Sequence, residues 1–269
     1  MRLAVLGKPV SHSLSPVIQT AALRTAGLPG TFVAREVDQA GLEQAFTDLR
    51  SGELDGANVT MPHKQLAAAL CDEVTPIAHR ASAVNTLVRV GGVIVGHNTD
   101  VAGIREAWDR ARLPLVGPVL ILGNGGAAAA ALLALEGREL FVSSRRPGVA
   151  AQLAAGVDVP AREAGWGNGV PGAVVVNATP LGMHGEALPE HVGSGASGLF
   201  DMAYGAGSTA AVRAFREQGL PVAEGTDMLI AQAAESFRLW TGRVADVSAM
   251  RKALHARVDE IQDGPAPGT

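Results

Sequence analysis

Val119-Leu120-Ile121-Leu122-Gly123-Asn124-Gly125-Gly126-Ala127-Ala128 decides the fold of this 269-residue chain. Four consecutive apolar residues predict a strand buried on both faces, as a central parallel strand is. Gly123 follows at once, and an alanine-rich run then predicts a helix to Leu135. Gly123-x-Gly125-x-x-Ala128 at a strand-to-helix junction is the context in which a dinucleotide is bound. The first glycine makes the tight turn, the second lets the backbone approach a pyrophosphate, and Ala128 is small enough for helix and strand to pack closely. The helix N-terminus adds unpaired N–H groups for the phosphates. Glycine-rich turns also serve packing alone, so the flanking strand and helix carry the argument.

The next strand, Glu139 to Ser143, bears on the cofactor. A carboxylate about 20 residues past the first glycine would bind a ribose 2′-hydroxyl. Ser143 and Ser144 stand there instead, followed by Arg145 and Arg146. A guanidinium binds a 2′-phosphate through two parallel hydrogen bonds and stacks on adenine, which favours NADP. A pair of solvated surface arginines is the bland alternative. Ala173 to Asn177 and Gly198 to Asp201 read as further strands, and Thr226 to Trp240 as a helix ended by Gly242.

Upstream, strands at 3–6, 31–37 and 56–59 alternate with helices at about 15–25, 40–51 and 62–71. Ser15 reads as an N-cap with Pro16 in the first turn. A hairpin over 85–97 turns at Gly91-Gly92. This alternation predicts an α/β unit with a mostly parallel sheet, and a helix from Asp100 to about Arg112 leads out of it. Polar groups cluster at its strand ends. Asn58-Val59-Thr60-Met61-Pro62-His63-Lys64, Asn85-Thr86 and Asn98-Thr99-Asp100 supply amides, hydroxyls and opposite charges suited to a polyhydroxylated substrate. The helix dipole opposes an ammonium at Lys64. A lysine with an aspartate such as Asp100 can relay a substrate hydroxyl proton while hydride leaves the carbinol carbon; an ordinary surface salt bridge is the other reading. Ser13 and Ser15, at a helix N-terminus, suit a carboxylate. Thr60, Asn85 and Gln232 offer neutral polar groups, and Tyr204 is the only tyrosine.

Composition narrows the classes. Hydrophobic residues make up 47% and charged residues 18%, enough apolar and too few charged for a disordered chain. A net charge of −4 gives no electrostatic footprint for nucleic acid. The single cysteine, Cys71, precludes an internal disulfide and reads as a structural thiol. His12, His63 and His97 lack metal-ligand spacing, and no metal is expected. With no apolar run of about 18 residues and no signal-like start, no membrane association and a cytoplasmic location are expected. The tail from Gln262 to Thr269 reads as frayed.

Taken in order along nearly the whole chain, several motifs resemble the shikimate dehydrogenase family. They are Ser11-His12-Ser13-Leu14-Ser15-Pro16, Asn58 to Lys64, Ala83-Val84-Asn85-Thr86, Asn98-Thr99-Asp100-x-x-Gly103 and Gly123 to Ala128. Asn177-Ala178-Thr179-Pro180, Phe200-Asp201-Met202-x-Tyr204, Gly225-Thr226-x-Met228-Leu229-x-x-Gln232 and Phe237-x-x-Trp240-Thr241-Gly242 complete them. The resemblance implies NADP-dependent interconversion of 3-dehydroshikimate and shikimate, in the route to chorismate and aromatic amino acids. It implies Lys64 and Asp100 as the catalytic pair and Ser13 and Ser15 on the substrate carboxylate. Thr60, Asn85, Asp100, Tyr204 and Gln232 would meet ring hydroxyls or complete that pocket. Gly123, Asn124, Gly125, Gly126 and Ala127 would hold the pyrophosphate. Ser144, Arg145 and Arg146 would hold the adenosine phosphate, and Met202 and Gly225 would lie by the nicotinamide. The implied architecture is α/β: a substrate domain over 1–100, a Rossmann-like doubly wound NADP domain over 101–225, and C-terminal helices over 226–269 returning to the first domain.

The chain departs from the family at Asn124, at Ser144-Arg145-Arg146 and in the Gly205-Ala206-Gly207 loop after Tyr204. A quinate/shikimate or aminoshikimate dehydrogenase, with NAD as the other cofactor, stays open on this reading, as does a non-catalytic nucleotide sensor on the same fold. Monomer and homodimer both stay open.

Overall fold

The computed structural model describes residues 1–204 and 207–263. The chain divides into two compact units, residues 1–99 with 230–269, and residues 100–229. In chain order the first contains β1 (Arg2–Gly7), α1 (Ser15–Thr25), β2 (Thr31–Glu36), α2 (Gln39–Ser51), β3 (Gly56–Val59), α3 (Lys64–Leu70), β4 (Glu73–Val74), α4 (Pro76–Arg80), β5 (Thr86–Val90) and β6 (Val93–His97). The second contains α5 (Asp100–Arg110), β7 (Val119–Leu122), α6 (Gly126–Ala134), β8 (Leu140–Ser143), α7 (Val149–Gly156), β9 (Arg162–Ala164), β10 (Val174–Asn177), β11 (Gly198–Asp201), α8 (Ala210–Glu217) and β12 (Val222–Glu224). The division falls within α9 (Gly225–Thr241), and α10 (Val247–Asp263) follows.

The first sheet runs β2-β1-β3-β5-β6-β4. β1 pairs in parallel with β2 and β3, and β4 with β6, while the β5–β6 hairpin is antiparallel to β3. Gly91 and Gly92 turn that hairpin at φ +59° and +92°, values that a residue with a Cβ rarely adopts. The core beneath is built by periodicity. On α2, Leu42, Ala45, Phe46 and Leu49 recur at helical spacing and are all buried against Leu6, Ala57 and Leu87. Asp38 caps this helix by accepting from the Gly41 N–H at 2.9 Å. The C-terminal helices complete the unit. Gly56 leaves room for Trp240, whose Nε1 would stand 2.4 Å from a Cβ there, and that indole N–H donates to the Leu87 carbonyl at 3.0 Å. Gln19 on α1 donates to the Ala233 carbonyl at 2.9 Å, and α10 packs along α1.

The second sheet is wholly parallel, in the order β12-β11-β10-β7-β8-β9. Numbered from β7, this is the doubly wound order, and the order in which strands are added reverses between β7 and β10. Val119, Leu120, Ile121 and Leu122 are completely buried, as the uninterrupted apolar run requires. The Arg105 guanidinium of α5 donates to the Leu133 and Ala134 carbonyls at 3.0 Å each, satisfying the C-terminus of α6. Arg138 lies over the Trp108 ring, 4.7 Å from its centroid.

The structure corrects local details. Ser15 is not the N-cap of α1; Leu14 is, without a side-chain bond, and Ser15 opens the helix beside Pro16. α3 begins at Lys64, with His63 as its N-cap, rather than near Pro62. Gly205 and Ala206 of the loop after Tyr204, and the tail from Gly264, lie outside the described residues.

Candidate active site

In the first unit the polar residues gather where β1 and β3 end and β5 begins. Register explains it: β3 and β5 are antiparallel with Asn58 opposite Thr86, so residues just past β3 and just before β5 share one edge. Thr60 follows β3 and is held by its N–H to the Leu6 carbonyl at 2.8 Å. Its methyl occupies the space a Cβ on Gly7 would need, at 2.3 Å, so glycine at 7 makes room for threonine at 60. Lys64, half-buried, is the first residue of α3, and its carbonyl accepts from Val84 N–H at 2.9 Å, tying it to the segment that carries Asn85. Ser13 is half-buried before α1, and its hydroxyl accepts from the Ser15 N–H at 3.3 Å. His63 bonds the Val37 carbonyl at 2.8 Å, a packing role.

Asn85 is buried, and its side-chain oxygen accepts from the Thr99 N–H at 2.8 Å. A backbone N–H can only donate, so the amide oxygen is the inward end and the NH₂ is the other. Asn58 donates to the Asn85 carbonyl at 3.1 Å and to Thr86 and Ser236 at 3.0 Å each. Gln232 of α9 accepts from the Thr99 hydroxyl at 3.2 Å. Sequence reasoning selected Asn85 and Gln232 but gave no role to Asn58, Thr86, Thr99 or Ser236. The first three stand inside motifs already quoted. Ser236, one helical turn beyond Gln232, carries only that spacing as a signal.

In the second unit, Gly123 has φ +119°, and a Cβ there would stand 2.8 Å from the Ala178 carbonyl oxygen, where β7 and β10 lie side by side. Gly125 and Gly126 differ: a Cβ on either meets nothing within 4 Å. Gly125 is the N-cap of α6 without a side-chain bond, no acidic residue lies in the first turn, and Ala128 is completely buried. The start of α6 thus has no side-chain cap and leaves space around its two glycines, which fits a pyrophosphate. At the end of β8, Ser144 is buried and its hydroxyl donates to the Arg146 carbonyl at 2.7 Å, shaping the turn. Arg145 and Arg146 are exposed and make no ion pair with described residues, as an anion-binding pair should.

Asp100, the buried first residue of α5, lies in this unit with Tyr204. Burial first, and the Asp100 charge second, push the Tyr204 phenol above its usual value. It stays a neutral O–H. The loop carrying Met202 and Tyr204 is braced by Asp201, completely buried, which accepts from Thr209 at 2.6 Å, Asn177 at 2.8 Å and the Ala203 N–H at 3.1 Å. Desolvation raises the Asp201 pKa against these bonds. A Cβ on Gly225 would stand 2.5 Å from the Met202 carbonyl oxygen, so only glycine lets the start of α9 meet this loop. Asn177, Asp201 and Thr209 are structural parts that sequence reasoning left without a role. Among the described residues no group of three or more His, Cys, Asp or Glu side chains could hold a metal, and no helix is long and apolar enough to cross a membrane.

A doubly wound unit with a glycine-rich strand-to-helix loop, joined in one chain to an α/β unit bearing Lys64 and a buried amide cluster, is the architecture of a dinucleotide-dependent oxidoreductase. Residues 5–87 match the model of the shikimate dehydrogenase substrate binding domain, and residues 225–255 that of the shikimate 5'-dehydrogenase C-terminal domain. An NADP(+) shikimate dehydrogenase of Thermus thermophilus is 39% identical over 269 residues, covering 94% of this chain and 97% of the relative. Crystal structures of shikimate 5-dehydrogenase from another strain of Thermus thermophilus superpose at 36% identity. The complex with shikimate has a TM-score of 0.88 and the complex with NADP(H) and shikimate 0.85, each covering 96% of this chain and 99% of the other. The chain belongs to the shikimate dehydrogenase family.

Proposed function

We propose that this chain is an NADP-dependent oxidoreductase that interconverts 3-dehydroshikimate and shikimate. The observation that carries the reading is kinship at 39% identity across 94% of the chain with a relative of that name. The NADP assignment gains support from two exposed arginines and no carboxylate after β8. When bound, the nicotinamide supplies a hydride acceptor or donor at the carbinol carbon. Most residues assigned to the substrate lie in the unit of residues 1–99 with 230–269; residues 100–229 carry those assigned to the dinucleotide, together with Asp100 and Tyr204. Ser13 and Ser15 donate to the substrate carboxylate. Thr60, Asn85, Asp100, Tyr204 and Gln232 orient the ring through its hydroxyls. Lys64 and Asp100 take the hydroxyl proton in oxidation and return it in reduction. Gly123, Asn124, Gly125, Gly126 and Ala127 hold the pyrophosphate. Ser144, Arg145 and Arg146 hold the 2′-phosphate end, and Met202 and Gly225 flank the nicotinamide.

The Asn85 geometry suits this substrate. With its oxygen already bonded to Thr99, its NH₂ is the end that can donate to a ring hydroxyl oxygen. Asn85→Asp replaces those donors by a charge and is expected to raise KM for shikimate by at least about tenfold while KM for NADP holds. An equal rise for both ligands would remove Asn85 from the substrate site.

A further inference from the structure

The turn Ser144-Arg145-Arg146-Pro147-Gly148 joins β8 to α7 and carries the arginine pair. Its entry is fixed by serines. Ser143, paired with Ala164 of β9, donates its hydroxyl to the Gly165 carbonyl at 3.2 Å, and Ser144 donates to the Arg146 carbonyl at 2.7 Å. Its exit is fixed from the same neighbouring strand: the Gly148 N–H donates to the Glu163 carboxylate at 2.8 Å. We propose that Glu163 is a positioning residue for the cofactor, which through Gly148 holds the turn that aims Arg145 and Arg146 at the 2′-phosphate of NADP. The inference rests on the cofactor assignment made above.

Local chemistry leaves the exit of this turn in need of an outside hold. Pro147 has no N–H to give. Gly148 has a φ of +78°, in the left-handed region, and a Cβ there would meet nothing within 4 Å, so it stands in open space. It is the N-cap of α7, without a side-chain bond and without an acidic residue in the first turn. In a capping box the N-cap N–H is taken by a glutamate or glutamine three residues into the same helix. Ala151 stands at that position and offers no acceptor, and Glu163 supplies one from β9. A turn held in its binding conformation loses less freedom when the ligand arrives. Charge makes the residue type informative. A carboxylate bonded at Gly148, close in sequence to Arg146, weakens the positive potential that draws in a phosphate. The electrostatic effect of Glu163 on NADP binding is thus unfavourable and its geometric effect favourable. The two carry opposite signs and can be measured apart.

A helix cap alone predicts a lower melting midpoint in Glu163→Ala and no change in cofactor recognition. Glu163→Ala and Glu163→Gln are made in the full chain, and Glu163→Ala also beside Arg145→Ala with Arg146→Ala; kcat with shikimate, KM for NADP, KM for NAD and the melting midpoint are measured. Glu163→Ala is expected to raise KM for NADP about 3- to 10-fold, the scale of one hydrogen bond, with kcat and KM for NAD held. Glu163→Gln should return KM for NADP to the wild-type value or below it, because the amide oxygen accepts the same N–H without the charge. Beside the two arginine replacements, Glu163→Ala should have no further effect, because its target is gone. The role is overturned by a KM for NADP that is unchanged or lower in Glu163→Ala. It is overturned equally by a rise that Glu163→Gln shares, that NAD shares, or that persists by the same factor without the arginines. If the arginine replacements themselves leave KM for NADP unchanged, the cofactor assignment fails, and this inference with it.

Discussion

Lys64 and Asp100 carry the proposed proton transfer. The account predicts that Lys64→Ala lowers kcat by at least about 10²-fold, the range of a lost acid–base group, while the calorimetric Kd for shikimate changes little. A kcat within a few-fold of wild type would leave Lys64 a surface cation. Cys71 behaves oppositely, as a packing group. Burial, then the Asp72 charge, push its thiol up from 9.0 to about 12. The folded state holds that proton more tightly than the unfolded one, so the contribution is complete below pH 9.0 and is lost as pH rises toward about 12. Wild type should therefore lose stability relative to Cys71→Ala across that window, measured by urea unfolding at stepped pH. A constant difference would mean a solvated thiol. Legibility at this scale follows motif density. Asn85 and Lys64 stand in runs of several polar residues that no core would need, whereas Ser236 lies in an ordinary amphipathic helix. Its hydroxyl partners are Thr86 and Thr99, 150 and 137 residues away in sequence.

The strand–turn–helix from β7 to α6 separates two uses of glycine. Gly123→Ala meets both a φ of +119° and the Ala178 carbonyl at 2.8 Å, and is expected to destabilise the protein by about 1–3 kcal/mol. Gly125→Ala adds its methyl to open space at an ordinary backbone conformation, so stability should change by less than about 1 kcal/mol. NADP affinity should nonetheless fall about tenfold or more, because the methyl takes the place of a phosphate. Thermal unfolding and NADP titration of the two variants check the pair; an unchanged NADP affinity in Gly125→Ala would contradict the cradle. Elements whose periodicity is complete within themselves were readable. β3, β7 and β11 match their predicted bounds, and α2 shows its buried face directly. β4, α4, α7, β9, α8 and β12 were not, since two to eight residues hold too little of either period to stand out from loops. The Ser15 cap was not met: Leu14 takes the N-cap position and Ser15 the first helical one.

For the molecule as a whole, net charge is −4, and a cofactor with an added phosphate must be drawn in by local rather than overall charge. On the proposed reading, Arg145 and Arg146 are that local charge. Replacing both with alanine should raise KM for NADP by at least about tenfold and leave KM for NAD nearly unchanged. An equal effect on both would make them structural. The two-unit organisation was legible from one apolar strand with its glycine loop and from the polar strand ends upstream. The return of the C-terminal helices to the first unit rests on contacts such as Trp240 over Gly56, which no local pattern announces.

The most direct test is the initial rate of reduced-nicotinamide formation by the purified protein on shikimate with NADP, run beside quinate and beside NAD. The account predicts fast turnover with shikimate and NADP, and kcat/KM lower by at least about 10²-fold when either is exchanged. Equal or faster turnover with quinate or with NAD would contradict it.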